Sequence, residues 1–245
     1  MSFKASVADG SGRVVFRAER TVADTLAVLF GLAQGAALHQ LLQAAPGQCV
    51  VLARAAEAVG VQMVTVHGRT REQGYQGQAE YDTIAAVKAA LRIPVVANGD
   101  ITTPEKAREV LAATGADAIM IGRAAQGYPW IFREVAHFLA TGTHLAPPLV
   151  SEVKKLLVEH LYDHYSLYDE FIGVRSARKH IGWYLQDLPG GEDFRQGMNL
   201  LEDSASQVAA VEAYLDTLNE KMDRIPARGS ANGQARGHDM TELAV

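Results

Sequence analysis

Apolar positions recur along this chain in two rhythms, and the change between them divides it. Between residues 49 and 145, short runs dominated by apolar side chains alternate with longer segments in which apolar residues fall three or four apart. The runs are Val61-Gln-Met-Val-Thr-Val66, Ile93-Pro-Val-Val-Ala97 and Ala116-Asp-Ala-Ile-Met-Ile121, and they predict short strands of a buried parallel sheet. The intervening segments predict helices over Val50–Val59, closed by Gly60, and over Glu80–Leu91, with Ile84, Val87 and Leu91 on one face. A third helix opens at Thr103-Pro104-Glu105, with Thr103 as N-cap, and stops before Gly115. Strand starts lie roughly thirty and then twenty-five residues apart, as repeated β-α units require.

After Gly122 only the helical rhythm remains. It predicts helices over Pro129–Leu139, Ser151–Tyr168 with Ser151 as a possible cap, Phe171–Leu185 and Asp193–Leu218, with Pro147-Pro148 marking a linker. Upstream of Cys49 the pattern is thin: Val14-Val-Phe16 suits a short strand and Thr21–Gln43 a helix. The tail from Arg224 to Val245 is rich in Gly, Ser, Asn and Pro and is expected to be disordered.

Composition narrows the field. The net charge of −5 gives no global case for binding a polyanion, so any such binding must use a local basic patch. A single cysteine, Cys49, excludes an intramolecular disulfide and fits a reducing compartment. No apolar run approaches the ~20 residues of a membrane span. The start, Met1-Ser-Phe-Lys-Ala, lacks the apolar core of a signal peptide. The expectation is a cytoplasmic protein without a membrane partner.

Each predicted strand ends in glycine beside a polar or charged residue, and a parallel sheet gathers such ends at one edge. Asn98-Gly99-Asp100 and Gly122-Arg123 each precede a helical segment; together they suit a phosphate group, although either alone reads as a tight turn. His67 in His67-Gly-Arg-Thr70 either meets a cofactor ring, donates a proton or bonds its own loop, and Arg69 and Arg71 either bind a second anion or are solvated. Arg175, Arg178 and Lys179 share a helix face, either a solvated one or, with Arg133, Lys154 and Lys155, a surface for a polyanion. Trp183 and Tyr184 read as core rather than as base-stacking platforms. His160 and His164 are an i, i+4 pair without a third ligand, so no metal site is predicted. Nothing local lowers the pKa of Cys49, which is not read as a nucleophile.

Taken in order, His67-Gly-Arg-Thr70, Glu80-Tyr-Asp82, Pro94-Val-Val-Ala-Asn-Gly-Asp100, Gly115-Ala-Asp-Ala-Ile-Met-Ile-Gly-Arg123, Pro129-Trp-Ile-Phe132 and Arg175-Ser-Ala-Arg-Lys-His180 with Trp183-Tyr184 closely resemble the bacterial tRNA-dihydrouridine synthases, most of all their B-type branch. The resemblance covers about residues 49 to 218. It implies an α/β fold in which residues 49–145 form the last three strands of a flavin-binding (β/α)8 TIM barrel and 146–222 a helical tRNA-binding domain, with 1–48 unmatched and 223–245 a tail. It also implies FMN-dependent reduction of uridine to dihydrouridine in tRNA, with NADPH as reductant. His67, Asn98, Gly99, Asp100, Gly122 and Arg123 would hold the FMN, and Arg175, Arg178 and Lys179 would contact tRNA.

The family's earlier strands, its Asn-x-Gly-Cys-Pro loop and a lysine near the flavin have no counterpart here. Cys49 does not match the catalytic cysteine, and no catalytic residue is assigned. Residues 1–48 are expected to be foreign sequence, as from a frameshift, joined to a truncated barrel. Three parallel strands alone leave two open edges, which invite a partner chain or self-association. Two alternatives stand beside the synthase: a tRNA-binding remnant without catalysis, and a different phosphate-binding barrel enzyme.

Overall fold

The computed structural model describes residues 2–8 and 14–21, these by their backbone, and residues 48–69, 73 and 76–228. The chain divides into two compact units, one of residues 1–125 and 131–143, the other of residues 126–130 and 144–245.

In the first unit, strands β3 (Val64–His67), β4 (Val95–Asn98) and β5 (Ala118–Met120) run parallel, in register His67 to Asn98 and Asn98 to Met120. Helices α1 (Gln48–Ala58), α2 (Asp82–Ala90) and α3 (Pro104–Thr114) alternate with them. Ala53, Ala56, Ile84, Val87, Ala107 and Val110 from the helices join Val64, Val66, Val95 and Ala97 in one core. Each large aliphatic side chain buried there contributes about 1.5–3 kcal/mol. At the strand starts, Asp117 accepts from the Val95 N–H (2.7 Å) and from Lys88 Nζ, joining β4 to α2. Glu57 of α1 accepts from the N–H groups of Arg92 and Ile93.

Helix α3 follows its sequence closely. Thr103 accepts the Lys106 N–H at 3.1 Å, Pro104 fills the first position, and Gly115 closes the helix at φ 63° with its N–H on the Leu111 carbonyl. Strands β3 and β4 are buried on both faces as expected, but β5 is not: Ala118 and Met120 are exposed. The sheet runs β2-β1-β3-β4-β5, where β1 is Ser2–Ala8 and β2 is Val14–Thr21. Among the described residues strand β5 is therefore terminal, with β4 beside it. The other expected open edge is occupied, because β1 pairs antiparallel with β3 (Phe3 to Val66). The strand expected at Val14–Phe16 falls within β2, whereas the helix expected over 21–43 lies outside the described residues beyond Thr21. Helix α4 (Ile131–Thr141) completes this unit, burying Ile131, Val135 and Phe138.

The second unit is helical: α5 (Val150–Leu167), α6 (Glu170–Leu185), α7 (Gly191–Met198) and α8 (Ser204–Asn219). Its core holds Leu157, Leu161, Ile181, Leu185, Met198 and Leu215, with buried Gln207 accepting from Tyr165 Oη (2.9 Å) and donating to the Val174 carbonyl. Three expectations change here. Ser151 is not a cap: the helix starts one residue earlier, and Leu149, which precedes it, makes no side-chain cap hydrogen bond. The single helix expected over 193–218 is two, because Asp203 caps α8 through the Ser206 N–H (2.7 Å). The start of the expected disordered tail is packed: Ile225 is buried with its N–H on the Pro148 carbonyl, and Arg228 stacks on Tyr128. Residues 229–245 lie outside the described ones.

Candidate functional site

The ends of β3, β4 and β5 come together in the first unit. The Gly68 N–H donates to the Asn98 carbonyl (2.9 Å), and the Asn98 side chain donates to the Met120 carbonyl (2.7 Å), so one asparagine bridges all three ends. Past Asn98 the backbone takes an uncommon course, with Gly99 at φ 132° and Asp100 at φ 49°. Gly99 is required twice over, since a Cβ there would stand 2.7 Å from the Ala79 Cβ. A non-glycine residue held left-handed, as Asp100 is, marks backbone fixed by its surroundings.

Those surroundings are Arg69 and the segment 76–81. Arg69 is 3% exposed. It donates Nη1–H and Nη2–H to the two oxygens of Asp100 (2.7 and 2.6 Å), and Nη2–H and Nε–H to the carbonyls of Gly77 and Gln76. Asp100 also accepts the Ala79 N–H at 2.8 Å, while Tyr81 Oη donates to the Gly99 carbonyl at 2.9 Å. Arg123 reaches Asp100 Oδ1 at 3.3 Å. Partial burial pushes the Asp100 carboxyl up, but the hydrogen bonds from Arg69 and Ala79, with the charges of Arg69 and Arg123, outweigh it and hold the group below the usual range.

Arg69 thus takes neither role that the sequence offered; it is neither solvated nor open to an anion. Arg71 lies outside the described residues. The clamp formed by Arg69, Asp100, Ala79 and Tyr81 was missed in the sequence. One signal was available: His67-Gly68-Arg69 and Asn98-Gly99-Asp100 end consecutive strands at the same spacing, with opposite charges at their third positions.

His67 lies beside Gly99, its Cε1 3.7 Å from where a Cβ would stand. Its Nδ1 is buried, with no hydrogen-bond partner among the described residues. Burial, aided by Arg69, lowers its pKa, so the ring is neutral at pH 7 despite the opposing influence of Asn98 and Asp100. A Cβ on Gly122 would meet nothing among the described residues within 4 Å, and the Arg123 side chain is 43% exposed. All six residues expected at a cofactor, His67, Asn98, Gly99, Asp100, Gly122 and Arg123, belong to this unit, along the ends of its parallel strands.

The three basic residues of α6 part company. The Arg175 guanidinium lies over the exposed Phe171 ring at 4.2 Å, and Lys179 Nζ lies 5.1 Å from the Trp183 ring centre. Arg178 turns to the protein, donating Nη2–H to the Leu201 carbonyl at 3.0 Å with its Nε buried. Lys154 is neutralised by Asp216 at 2.8 Å. Trp183 and Tyr184 are half-buried, Tyr184 edge-on to Trp130. His160, His164 and His180 cluster, but among the described residues no group of three His, Cys, Asp or Glu could hold a metal ion. Cys49 is buried in α1, and burial pushes its thiol up to about 11, so it is no nucleophile. Among the described residues no helix is long and apolar enough to cross a membrane.

Comparison with known proteins accounts for this combination of strand ends and helices. Residues 44–220 match the family model described as dihydrouridine synthase (Dus). Over 180 residues the chain is 52% identical to tRNA-dihydrouridine synthase B of Pseudomonas putida, covering 74% of this chain and 53% of that protein. Over 168 residues it is 54% identical to the protein of that name from Klebsiella pneumoniae, covering 69% and 52%. The chain belongs to the dihydrouridine synthase family. It spans about half the length of the curated relatives it matches.

Proposed function

We propose that this chain binds the phosphate end of FMN at the ends of β4 and β5, and tRNA on its helical unit, in the reduction of uridine to dihydrouridine with NADPH as reductant. One observation carries the reading: Asn98-Gly99-Asp100 and Gly122-Arg123 stand side by side, with Arg123 3.3 Å from Asp100. The residues fit such a group. Among the described residues nothing fills the space beside Gly122 or partners the buried His67 Nδ1, and Arg123 offers an exposed guanidinium. When bound, FMN supplies the hydride chemistry and NADPH recharges it. Residues of this chain hold and orient: Arg123 and the backbone around Gly122 at the phosphate, His67 as a neutral ring toward the flavin, Arg175 and Lys179 on the tRNA backbone. In this reading residues 49–145 are a portion of a (β/α)8 barrel and 146–222 the tRNA-binding part. The uridine must leave its stack to be reached.

With Cys49 buried, no cysteine of this chain is assigned as proton donor to the uracil ring. That observation favours a second reading, a chain that binds tRNA without catalysis. Family membership disfavours the third, a barrel enzyme of sugar phosphates. Two measurements on the purified chain separate the first two. Flavin fluorescence titration reads a weak FMN affinity, without flavin carried through purification, in the first reading and none in the second. A tRNA mobility shift is expected in both; its absence would sink both.

The exposed end of the sheet adds a partner. Among the described residues strand β5 is terminal, with Met120 exposed, and an edge of this kind templates a strand from another chain. We extend the proposal to pairing there with a second copy or a partner chain. Light scattering that shows a monomer at all concentrations, both alone and with a candidate partner, would remove this part.

A further inference from the structure

Helix α6 carries aromatic and basic side chains at four-residue intervals: Phe171, Arg175, Lys179 and Trp183. Such a row forms a ridge that winds slowly round a helix, rising about 6 Å per step. The Arg175 guanidinium lies 4.2 Å from the Phe171 ring centre, and Lys179 Nζ lies 5.1 Å from that of Trp183. Phe171, Arg175 and Lys179 are exposed, Phe171 to 65%. A guanidinium on one face of a ring leaves the other for a further planar group. Among the described residues neither Arg175 nor Lys179 is ion-paired, whereas Lys154 is neutralised by Asp216. The carboxylates next to Phe171 in sequence serve helix starts: Asp169 accepts the Ile172 N–H at 2.9 Å, and Glu170 accepts from the N–H and hydroxyl of Ser204.

An exposed ring followed along its ridge by two cations matches a single strand of nucleic acid. Any base stacks on an aromatic face, while cations track the phosphates. A duplex, with its bases already stacked inside, would use the cations and leave Phe171 idle. We propose that this row is a platform for single-stranded RNA, on which Phe171 stacks an unpaired base and Arg175 and Lys179 hold neighbouring phosphates. This deepens the tRNA reading of the helical unit and rests on it.

Fluorescence anisotropy with the full chain measures affinity for a tRNA transcript, for a single-stranded RNA of about 12 nucleotides and for the same strand in a duplex. Phe171→Ala is expected to weaken the tRNA and the single strand by about five-fold or more and the duplex by less than about two-fold, with the salt slope unchanged because no charge is removed. Phe171→Leu keeps apolar bulk without a π-face and should weaken binding as alanine does, whereas Phe171→Tyr should bind like the wild type. All three variants alter an exposed side chain and should melt like the wild type; if alanine does not fold, leucine against tyrosine decides. Single-strand affinity that survives Phe171→Leu overturns the inference, since the contact is then apolar or absent. So does a tyrosine variant that binds no better than leucine, and so does an equal loss for the duplex. A wild-type dimer in light scattering that Phe171→Leu converts to monomer gives the face to a second copy and also overturns it. These outcomes leave the tRNA reading standing; a wild-type chain that binds no tRNA defeats that reading and the inference with it.

Discussion

At the scale of single residues, neighbours of like type do unlike work. Arg178 holds the Leu201 carbonyl from a partly buried position, so Arg178→Ala is expected to destabilise the helical unit by about 1–3 kcal/mol in urea unfolding. Arg175 and Lys179 lie exposed over aromatic rings; replacing either with alanine should leave stability within about 0.5 kcal/mol. If they contact tRNA as proposed, their cost should appear instead in tRNA affinity. An Arg178→Ala chain that melts like the wild type but binds tRNA less well would reverse these assignments. Gly99→Ala meets both a positive φ and the Ala79 Cβ, and is expected to cost about 2–4 kcal/mol, read by thermal denaturation. Helical spacing put Arg175, Arg178 and Lys179 on one face, but spacing specifies a direction from the helix axis and says nothing about a carbonyl waiting at Leu201. Arg69 was hidden for the same reason: its partners lie seven, eight and thirty-one residues away.

At the scale of elements, the helical unit contains a built-in response to acid. His180 of α6 packs its ring against His160 and His164 of α5 and against Trp183. Burial first, then the neighbouring histidines and Lys179, push its pKa down to about 4, and burial also lowers that of His164. A histidine depressed in the folded state binds its proton more readily when unfolded. Its stability contribution is therefore complete above the ordinary value of 6.5 and is lost as pH falls from there toward 4. The full difference would be about 3 kcal/mol, and about 1–2 kcal/mol after allowing for solvent around a half-exposed ring. Urea midpoints followed from pH 7 to 4.5 should fall accordingly, and less steeply in His180→Phe; parallel curves would refute it. Elements were legible where the local signal was strong, as with Thr103-Pro104 and Gly115 around α3. They were blurred where a polar residue did a quieter job: Asp203 restarts a helix inside an apolar rhythm that continues through Leu200 and Leu201. Exposure of β5 was not legible, because Ala-Ile-Met reads as buried whether or not a neighbour is there to bury it.

At the scale of the molecule, a chain of net charge −5 can hold an RNA only through a local concentration of cations. On the proposed tRNA reading, affinity for tRNA should fall with salt, and the log–log slope should shrink by about 1 for each of Arg175→Ala and Lys179→Ala. An unchanged slope would place the RNA elsewhere. Alternating β and α segments made the parallel order of β3, β4 and β5 readable, while the hydrogen bonds that knit their ends run through residues with no periodicity at all. That knitting has a consequence for how the protein breathes. The segment 76–81 is a loop, and loop amides ordinarily trade their hydrogens with water quickly. Here the Ala79 amide is spoken for by Asp100, the Glu80 amide by the Gly68 carbonyl and the Gly68 amide by Asn98 of the central strand. Their deuterium uptake should be slow and should rise together with that of β4, so that this loop opens only when the sheet does.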